Sequence, residues 1–510
     1  MRFRHRLHTI YSRLVSANIQ NVFVLMLENR AFDHMLGYSG ITGTDAASGQ
    51  PTRINGLAGT ESNSYNGQPY GVSPSAGFVM PVDPGHEFPN VLHQLCGAGA
   101  VYQPGRYPPI GNSGFVASYA ATGGQSGPGE IMKCFTATSL PVLHALANEF
   151  VVCDNWHASL PGPTWPNRLF VHAASSGGLD HSPTTAEIVL WEALNGFSFQ
   201  HGTIFDAMKA KNISRRLYAG DDFPMVSAVK GIALDDIRPY HLFARDLAQT
   251  SYPFSYTFIE PSYNVLTDYK GSTSQHPLGD VTRGEMLIKA TYEAIRNSPR
   301  WNNSLLIITW DEHGGFYDHA VPPPAVPPGD TEAAHNKYGF TFDQYGPRVP
   351  AIIVSPLIPR NLVDHRLYDH ASIPATLEAI FGLKALTQRD AAANNLTSLL
   401  SLSTPRTDAP ATLPAPAQSG QTVLPAFAGP DPAAVAPAPP SRPMDPVNDG
   451  NLPGVLHAAL RSDLAVSAPE QRPQILAHVS SIKTRAEASH YLEEVRQKVR
   501  VAKTAPPATA

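Results

Sequence analysis

The chain has little charge, no excess of basic residues and no long apolar run. Only 15% of its 510 residues are charged, and 37 basic residues stand against 42 acidic ones, which gives a formal net charge of −5. A nucleic-acid binder would carry a basic surface and a high isoelectric point, so nucleic acid is not an expected partner. The 42% of apolar residues can build a large core, and we therefore expect a globular chain.

Cysteine is also scarce. Cys96, Cys134 and Cys153 are odd in number, widely spaced and without a CxxC pair. A disulfide framework or a structural zinc site is therefore not expected, although one pair could bridge in an oxidising compartment. The apolar run Val22–Leu27 is far shorter than the ~18 residues of a spanning helix and is too short for a signal sequence. The sequence as written predicts neither a membrane span nor an export signal.

Four segments differ in composition. Residues 1–17 form a basic arm with four arginines, which is either simply solvated or weakly attracted to an anionic membrane surface. Residues 18–400 have the pattern of a large folded domain. Residues 401–450 contain 12 prolines, which predicts an extended linker without a core of its own. Residues 451–510 carry apolar residues at three- and four-residue spacings, which predicts a helical tail.

Short apolar runs alternate with helical patterns through the large domain. Runs rich in β-branched residues are typical of strands that are buried on both faces of a parallel sheet. The alternation predicts a doubly wound α/β fold, with a mainly parallel sheet flanked by helices. The predicted strands are Val22–Leu27, Phe150–Cys153, Tyr256–Ile259, Leu305–Thr309 and Ala351–Val354, and the predicted helices are Leu143–Glu149, Trp165–Ala174, Gly284–Asn297 and Ile373–Phe381.

Oxygen-bearing side chains follow two of these strands directly. They are Glu28, Asn29, Asp311 and Glu312. Ligands of open α/β sheets bind outside the carboxyl ends of the strands, so we expect these side chains at one edge of the sheet. Such donors suit a divalent cation that keeps positions open for substrate. A lone Glu-Asn pair is more simply a helix cap or an Asx turn, but the second acidic pair favours a cation site.

A Pro/Gly-rich loop leads into the second predicted helix. Thr164 stands at its expected N-cap position, with Pro166 in the first turn and Gly177 beyond the end. Capping is the simpler role for this hydroxyl. The positive end of a helix dipole also favours an alkoxide or a phosphate, and a nearby cation would activate the same hydroxyl as a nucleophile.

Several histidines lie in glycine-bordered loops. They are His86, His276, His313, His319 and His370. A single loop histidine is more often a surface or structural residue. Several together can donate hydrogen bonds to phosphoryl oxygens and can protonate a leaving oxygen.

Three of these motifs, in this order, resemble the bacterial and plant non-specific phospholipase C family. They are the run from Glu28 to Gly37, the Pro163–Arg168 element and the run from Asp311 to His319. That family also includes bacterial acid phosphatases and belongs to the alkaline-phosphatase-like superfamily. The resemblance spans roughly residues 18–400 and implies a phosphoesterase catalytic domain. Ala31, where the family usually has Ser, and the lack of an export signal depart from its pattern.

The resemblance implies roles for single residues. The implied ligands of a divalent metal cation are Glu28, Asn29, Asp311 and Glu312. Thr164 is implied as the nucleophile that becomes transiently phosphorylated. His86 and His276 match positions that bind phosphoryl oxygens or transfer protons, and Asn167 and His370 are weaker matches.

The expected reaction is phospholipase C-type cleavage of phospholipid to diacylglycerol and a phosphorylated head group. An acid phosphatase acting on monoesters would use the same core, and a catalytically silent binding protein is the alternative from another class. A sulfatase is disfavoured because Thr164 cannot be oxidised to formylglycine. Trp156, Trp165, Tyr263 and Tyr317 are candidates for a cage around a quaternary ammonium, and ordinary packing would explain each equally well.

Overall fold

The computed structural model of the protein describes residues 19–194, 196–330, 335–420 and 438–504. The expected basic arm at residues 1–17 and the middle of the proline-rich stretch, residues 421–437, lie outside the described residues. Within the described residues, no helix combines the length and the apolarity that crossing a bilayer requires. Cys96, Cys134 and Cys153 all carry free thiols.

Most strands of the described chain join one large sheet. The strands are β1 (Asn21–Leu27), β2 (Thr42–Asp45), β3 (Pro51–Arg53), β4 (Ser62–Tyr65), β5 (Gln68–Gly71), β6 (Val151–Cys153), β7 (Trp156–His157), β8 (Arg215–Ala219), β9 (Ile237–Pro239), β10 (Tyr256–Glu260), β11 (Ser304–Trp310), β12 (Ala351–Val354), β13 (Leu362–Asp364) and β14 (Tyr368–Asp369). Ten of them form a sheet in the order β3-β2-β13-β6-β12-β11-β1-β10-β8-β9.

Helices cover this sheet. They are α1 (Phe32–Leu36), α2 (Phe88–Cys96), α3 (Phe115–Ala121), α4 (Pro141–Glu149), α5 (Thr164–Ala173), α6 (Thr185–Leu194), α7 (Ile204–Ala210), α8 (Phe243–Leu247), α9 (Val281–Arg296), α10 (Ser372–Phe381), α11 (Gln388–Ala392), α12 (Leu452–Val466), α13 (Arg472–Ser481) and α14 (Arg485–Thr504). The prediction of a mainly parallel sheet flanked by helices is confirmed.

The first strand lies in the middle of the sheet. All seven residues of β1 are buried, and β1 pairs in parallel with both β10 and β11. A strand that is buried on both faces of the sheet carries apolar side chains on both faces. The sequence of β1 is therefore an unbroken hydrophobic run. β12 and the edge strand β3 depart from the parallel arrangement, since β12 is antiparallel to β11 and to β6, and β3 is antiparallel to β2.

The start of α5 differs from the sequence expectation. Thr164 is the first residue of the helix and Pro163 occupies the N-cap position, whereas we predicted Thr164 as the cap. The helix ends at Ala173, one residue before the predicted end, because Ala174 adopts the left-handed conformation with φ of 52° that terminates it. The residues of α5 are all buried, so this helix runs through the core and not over the surface.

The chain after residue 400 returns to the large domain. Lys289, Tyr292 and Arg296 of α9 donate hydrogen bonds to carbonyl groups between residues 409 and 413. Further on, α12 packs against α6 and α14. His457 and Arg461 of α12 both contact the Glu192 carboxylate of α6 at 3.0 and 3.2 Å. The C-terminal helices are therefore docked on the large domain through buried polar contacts.

Candidate active site

The register of the central strands brings the two predicted pairs of oxygen donors together. Leu27 of β1 lies opposite Trp310 of β11, so the residues that follow them leave the sheet at the same level. The backbone N–H of Asn29 donates to Asp311 Oδ1 at 2.9 Å, and Asp311 N donates to Leu27 O at 3.2 Å. The four side chains Glu28, Asn29, Asp311 and Glu312, called here the strand-end cluster, have no exposed surface.

Two unusual backbone conformations hold the strand ends against each other. Asn29 has a φ of 57°, and Gly314 has a φ of 65°. A Cβ at position 314 would lie 2.1 Å from the carbonyl oxygen of Asn29, so no other residue fits there without movement of one loop. The glycine that follows the second acidic pair is therefore needed for the close approach of the two loops.

The Thr164 hydroxyl lies beside the strand-end cluster. Asn29 Nδ2 donates to Thr164 Oγ1 at 3.4 Å and also to Glu312 Oε1. Thr164 occupies the first turn of α5, so its oxygen feels the positive end of the helix dipole. Asn167 holds the loop before it, because Asn167 Nδ2 donates to the carbonyls of Gly162 and Pro163 at 3.0 Å. Asn167 thus fixes the position of the hydroxyl and does not face it.

The carboxylates of the strand-end cluster are short of positive charge. Burial raises the pKa of Glu28 well above its usual value, and the charge of Asp311 raises it further. Burial raises the pKa of Asp311 to about 6, although Arg168 opposes this through a 3.0 Å contact from Nε to Oδ2. Glu28 Oε2 and Asn29 Oδ1 accept no hydrogen bond from the described chain. Buried oxygens that accept no hydrogen bond can instead coordinate a cation. The oxygen atoms of the strand-end cluster therefore suit a hard divalent metal.

The rings of His86 and His276 lie next to each other, and their electrostatics are opposite. Their ring centroids are 6.3 Å apart. Burial alone would lower the pKa of His86, but the carboxylates of Glu312 and Asp83 outweigh it and raise the pKa to about 9. Burial and the charge of His86 lower the pKa of His276 well below its usual value. One imidazole is therefore cationic and the other neutral near pH 7.

The other loop histidines have supporting positions. His370 Nε2 donates to the carbonyl of Asp311 at 2.6 Å while its Nδ1 accepts from Trp156 at 3.3 Å, so it braces the second strand end. Burial lowers the pKa of His370 to about 4, which keeps this ring neutral. His313 Nε2 lies 2.8 Å from Gln94 Oε1.

His319 belongs to a second buried group, which lies outside the strand-end cluster. Its Nδ1 contacts Asp33 Oδ2 at 2.7 Å. Arg348 contacts Asp33 Oδ1 at 3.0 Å and Asp318 Oδ1 at 2.9 Å. Asp33, Asp318 and His319 have ligand atoms close enough to hold a metal ion, but the Arg348 guanidinium already compensates both carboxylates. We call these four residues the Arg348 cluster.

Arg168 and Tyr269 are residues of the site that were not predicted from the sequence. Arg168 lies four residues after Thr164 on the same face of α5, and this spacing was the available signal. Tyr269 stacks on His276 with ring centroids 3.3 Å apart and planes 3° apart. Nothing in the local sequence of Tyr269 indicates that contact, because the loop geometry alone creates it.

The four aromatic candidates for a cage are buried. Trp156 stacks on Tyr368, Tyr317 packs edge-on against Phe115, and each of the four candidates is at most 7% exposed. Tyr263 donates to Glu260 Oε2 at 2.6 Å. These contacts agree with ordinary packing in the fold, and a cage of the four side chains stays a prediction.

The comparison with known families identifies the class of the protein. The sequence profile of the phosphoesterase family matches residues 19–384, a range that contains the strand-end cluster, Thr164 and both facing histidines. The protein is a phosphoric ester hydrolase with an α/β fold. The chain belongs to the phosphoesterase family.

Its curated relatives come from plants and bacteria. The chain is 39% identical to non-specific phospholipase C6 of Arabidopsis thaliana over 417 residues, which are 78% of this chain and 75% of that protein. It is 35% identical to non-specific phospholipase C3 of the same plant over 78% of this chain and 76% of that protein. Phospholipase C B of Mycobacterium tuberculosis is 26% identical over 76% of this chain and 78% of its own length.

Solved structures give more distant similarities. A protein in the alkaline phosphatase superfamily from Vibrio parahaemolyticus aligns with 51% of this chain and 65% of its own at 14% identity and a TM-score of 0.31. Murine ectonucleotide pyrophosphatase / phosphodiesterase 5 aligns with 52% of this chain and 95% of its own, at 13% identity and a TM-score of 0.30.

Proposed function

We propose that the protein is a phospholipase C-type phosphodiesterase that cleaves phospholipids to diacylglycerol and a phosphorylated head group. The catalytic unit is residues 18–400. The observation that carries the proposal is the buried Thr164 hydroxyl, which contacts Asn29 within a cluster of oxygen donors that lacks enough cationic partners. The substrate class is taken from the relatives, which are named phospholipases C at up to 39% identity.

A divalent cation fits the strand-end cluster. Its ligands in the proposal are Glu28, Asn29, Asp311 and Glu312. When bound, such a cation supplies Lewis-acid stabilisation of the phosphate and lowers the pKa of a nearby hydroxyl. Without it, the raised pKa values of Glu28 and Asp311 indicate that these two carboxylates resist full ionisation.

Thr164 is the proposed nucleophile. It reacts as the alkoxide, its proton having passed to solvent, and Oγ1 attacks phosphorus in line to form a phosphothreonine that still carries the head group, while the bond from phosphorus to the diacylglycerol oxygen breaks. His86, which is cationic near neutral pH, donates a proton to that leaving oxygen. Water then attacks the phosphothreonine, and the neutral His86 takes its proton. The bond from phosphorus to Oγ1 breaks, which returns the imidazolium and the Thr164 alkoxide and releases the phosphorylated head group. His276 donates a hydrogen bond to a phosphoryl oxygen.

A direct assay separates the two hydrolase activities. Purified protein is incubated with phosphatidylcholine in mixed micelles, with phosphorylcholine and with a chromogenic phosphomonoester, each with added Mn²⁺. We expect diacylglycerol and phosphorylcholine from the lipid, and slow release of phosphate from the monoesters. Faster turnover of the monoesters than of the lipid would instead make the protein an acid phosphatase.

Trapping tests the covalent intermediate. Acid quenching during turnover of phosphatidylcholine, followed by peptide mass spectrometry, should find phosphorylcholine attached to Thr164. A phosphorylated histidine in place of phosphothreonine would refute the nucleophile. The wild-type protein with product but without lipid is the control for nonspecific phosphorylation.

Contact with a membrane surface is a separate part of the proposal. It is assigned to the arginines of residues 1–17, whose positive charge would attract anionic lipid. Sedimentation with phosphatidylserine vesicles at low and at high salt tests it. Equal binding at both salt concentrations would argue against an electrostatic contact.

A further inference from the structure

We infer that Asn451, from the segment after the proline-rich stretch, is a positioning residue for the metal ligand Glu28. The inference rests on the proposed function. Asn451 Nδ2 donates to Glu28 Oε1 at 2.9 Å and also contacts the Tyr269 hydroxyl at 3.3 Å. The asparagine is 2% exposed, so the contact is buried among residues of the site and is not a surface encounter.

The side chain of Asn451 does not cap its helix, although its position favours capping. It stands at the N-cap of α12, where an asparagine usually accepts a hydrogen bond from a backbone N–H of the first turn. Asn451 makes no such capping bond. The second helical residue is Pro453, which has no N–H to offer, and the Asn451 amide points to Glu28 instead. The side chain therefore donates to the Glu28 carboxylate and does not cap α12.

The surrounding contacts fix the place from which Asn451 reaches the site. Gly454 lies so close to the Trp165 indole that a Cβ on it would come within 1.8 Å of the ring. Three residues before Asn451, Asn448 Oδ1 accepts hydrogen bonds from the N–H and the hydroxyl of Thr185 at 2.9 Å. The first turn of α12 is therefore packed on the residue next to Thr164 and is anchored to α6.

The two oxygens of Glu28 have different surroundings. Oε1 receives the amide of Asn451, while Oε2 has no hydrogen-bond partner in the described part of the chain. A carboxylate that binds a metal through one oxygen is commonly oriented by a hydrogen bond to the other. Asn451 fills that second position, so it sets the rotamer of Glu28 and leaves Oε2 for the cation.

The test compares two Asn→Ser variants in the full-length protein after removal of metal with a chelator. Serine caps helices about as well as asparagine, but it is too short to reach Glu28. Titration calorimetry with Mn²⁺ should show about 10- to 100-fold weaker binding for Asn451→Ser, the usual effect of removing a partner of a metal ligand. Asn448→Ser loosens the same segment without touching Glu28 and should bind Mn²⁺ within about twofold of wild type.

A second measurement separates positioning from folding. Saturating Mn²⁺ should restore most of the kcat of Asn451→Ser on phosphatidylcholine, because the ligand is misoriented and not missing. If Asn451→Ser unfolds at a clearly lower temperature than wild type, Asn451→Leu, which nearly keeps the side-chain volume, takes its place in both measurements. Wild-type Mn²⁺ affinity in the variant, or equal weakening in Asn448→Ser, would overturn the inference while the proposed function stands. A wild-type protein that binds no Mn²⁺ and cleaves no phosphodiester would overturn both.

Discussion

Two groups of buried carboxylates lie in the loops after β1 and β11, and they differ in how their charge is balanced. In the Arg348 cluster one guanidinium contacts both Asp33 and Asp318, and a histidine contacts Asp33 from the other side. In the strand-end cluster Arg168 makes one ion pair, with Asp311, and Glu28 and Asn29 keep oxygens without donors. Balanced charge in the first group indicates a structural role, and unbalanced charge in the second indicates a ligand. The predictions below test this contrast.

Removal of the Thr164 hydroxyl should have the largest effect. Thr164→Val keeps the shape of the side chain, and we expect turnover of phosphatidylcholine to fall by at least ~10³-fold, because loss of a nucleophile leaves only binding and electrostatics. The unfolding temperature should stay close to that of wild type. Thr164→Ser, which retains a hydroxyl, is the matched control and should keep measurable activity. Wild-type turnover by the valine variant would refute covalent catalysis by this residue.

Removal of bound metal by a chelator should affect the strand-end cluster and leave the Arg348 cluster unchanged. Dialysis against EDTA should lower activity by more than ~100-fold, and added Mn²⁺ should restore it, because the unpartnered oxygens lose their cation. Mn²⁺ at about 100 times its Kd should also raise the free energy of unfolding by ~2.7 kcal/mol. The Asp318→Asn protein, which loses a candidate ligand of the Arg348 cluster, should show the same gain in unfolding free energy on Mn²⁺ addition. A gain that disappears in Asp318→Asn would place the cation in the Arg348 cluster.

Breaking the Arg348 cluster should affect stability more than chemistry. Arg348 has no exposed surface, and Arg348→Met leaves Asp33 and Asp318 buried without their cation. We expect a loss of about 3–5 kcal/mol in the free energy of unfolding, measured by urea denaturation. Arg360→Met is the control, since the side chain of Arg360 is 65% exposed in its pair with Glu149 and should contribute no more than ~1 kcal/mol. Equal losses in the two variants would contradict the structural role of the cluster.

The smallest expected effect is the pH dependence of His319. Burial alone would lower its pKa, but the hydrogen bond and charge of Asp33 outweigh it and raise the pKa above its usual value. The folded protein therefore binds this proton more tightly than the unfolded chain does. The resulting stability is fully present below about pH 6.5 and is lost as pH rises through the folded pKa.

The measurement compares unfolding temperatures of wild type and His319→Gln at several pH values. The difference should correspond to about 1 kcal/mol or less near pH 6, since the side chain is 22% exposed, and it should shrink by pH 9. A difference that grows with pH would mean that the imidazole is neutral in the folded protein. His365→Gln is the control. His365 also pairs with a carboxylate, Asp154, at 2.9 Å, but its side chain is 37% exposed.

The sequence predicted the parts of the site that follow from strand order and failed where contacts span the chain. Glu28, Asn29, Asp311 and Glu312 could be placed at one edge because an apolar run followed by polar donors is a local pattern. Their geometry agrees with that expectation, whereas their roles stay predictions. Thr164 was misplaced by one position, because capping preferences favour threonine at the N-cap, whereas the structure has Pro163 there without a side-chain capping bond.

Other contacts had no local signal. Arg348 meets Asp33 across a separation of 315 residues, and Asn451 meets Glu28 across 423. Such pairs depend on how loops and the C-terminal helices pack, which no periodicity encodes. Asn451 also lies beside a proline-rich stretch that indicates a linker, so composition pointed away from the site.

The central position of β1 also determines the order in which this protein can assemble. β1 is synthesised before its neighbours β10 and β11, which are encoded more than two hundred residues later. At a translation rate of about 5–20 residues per second, the apolar β1 segment would wait for tens of seconds before its partners leave the ribosome. During that interval it is a segment that chaperones can bind, and the production of this enzyme in a cell depends on keeping one strand unpaired until the sheet can close around it.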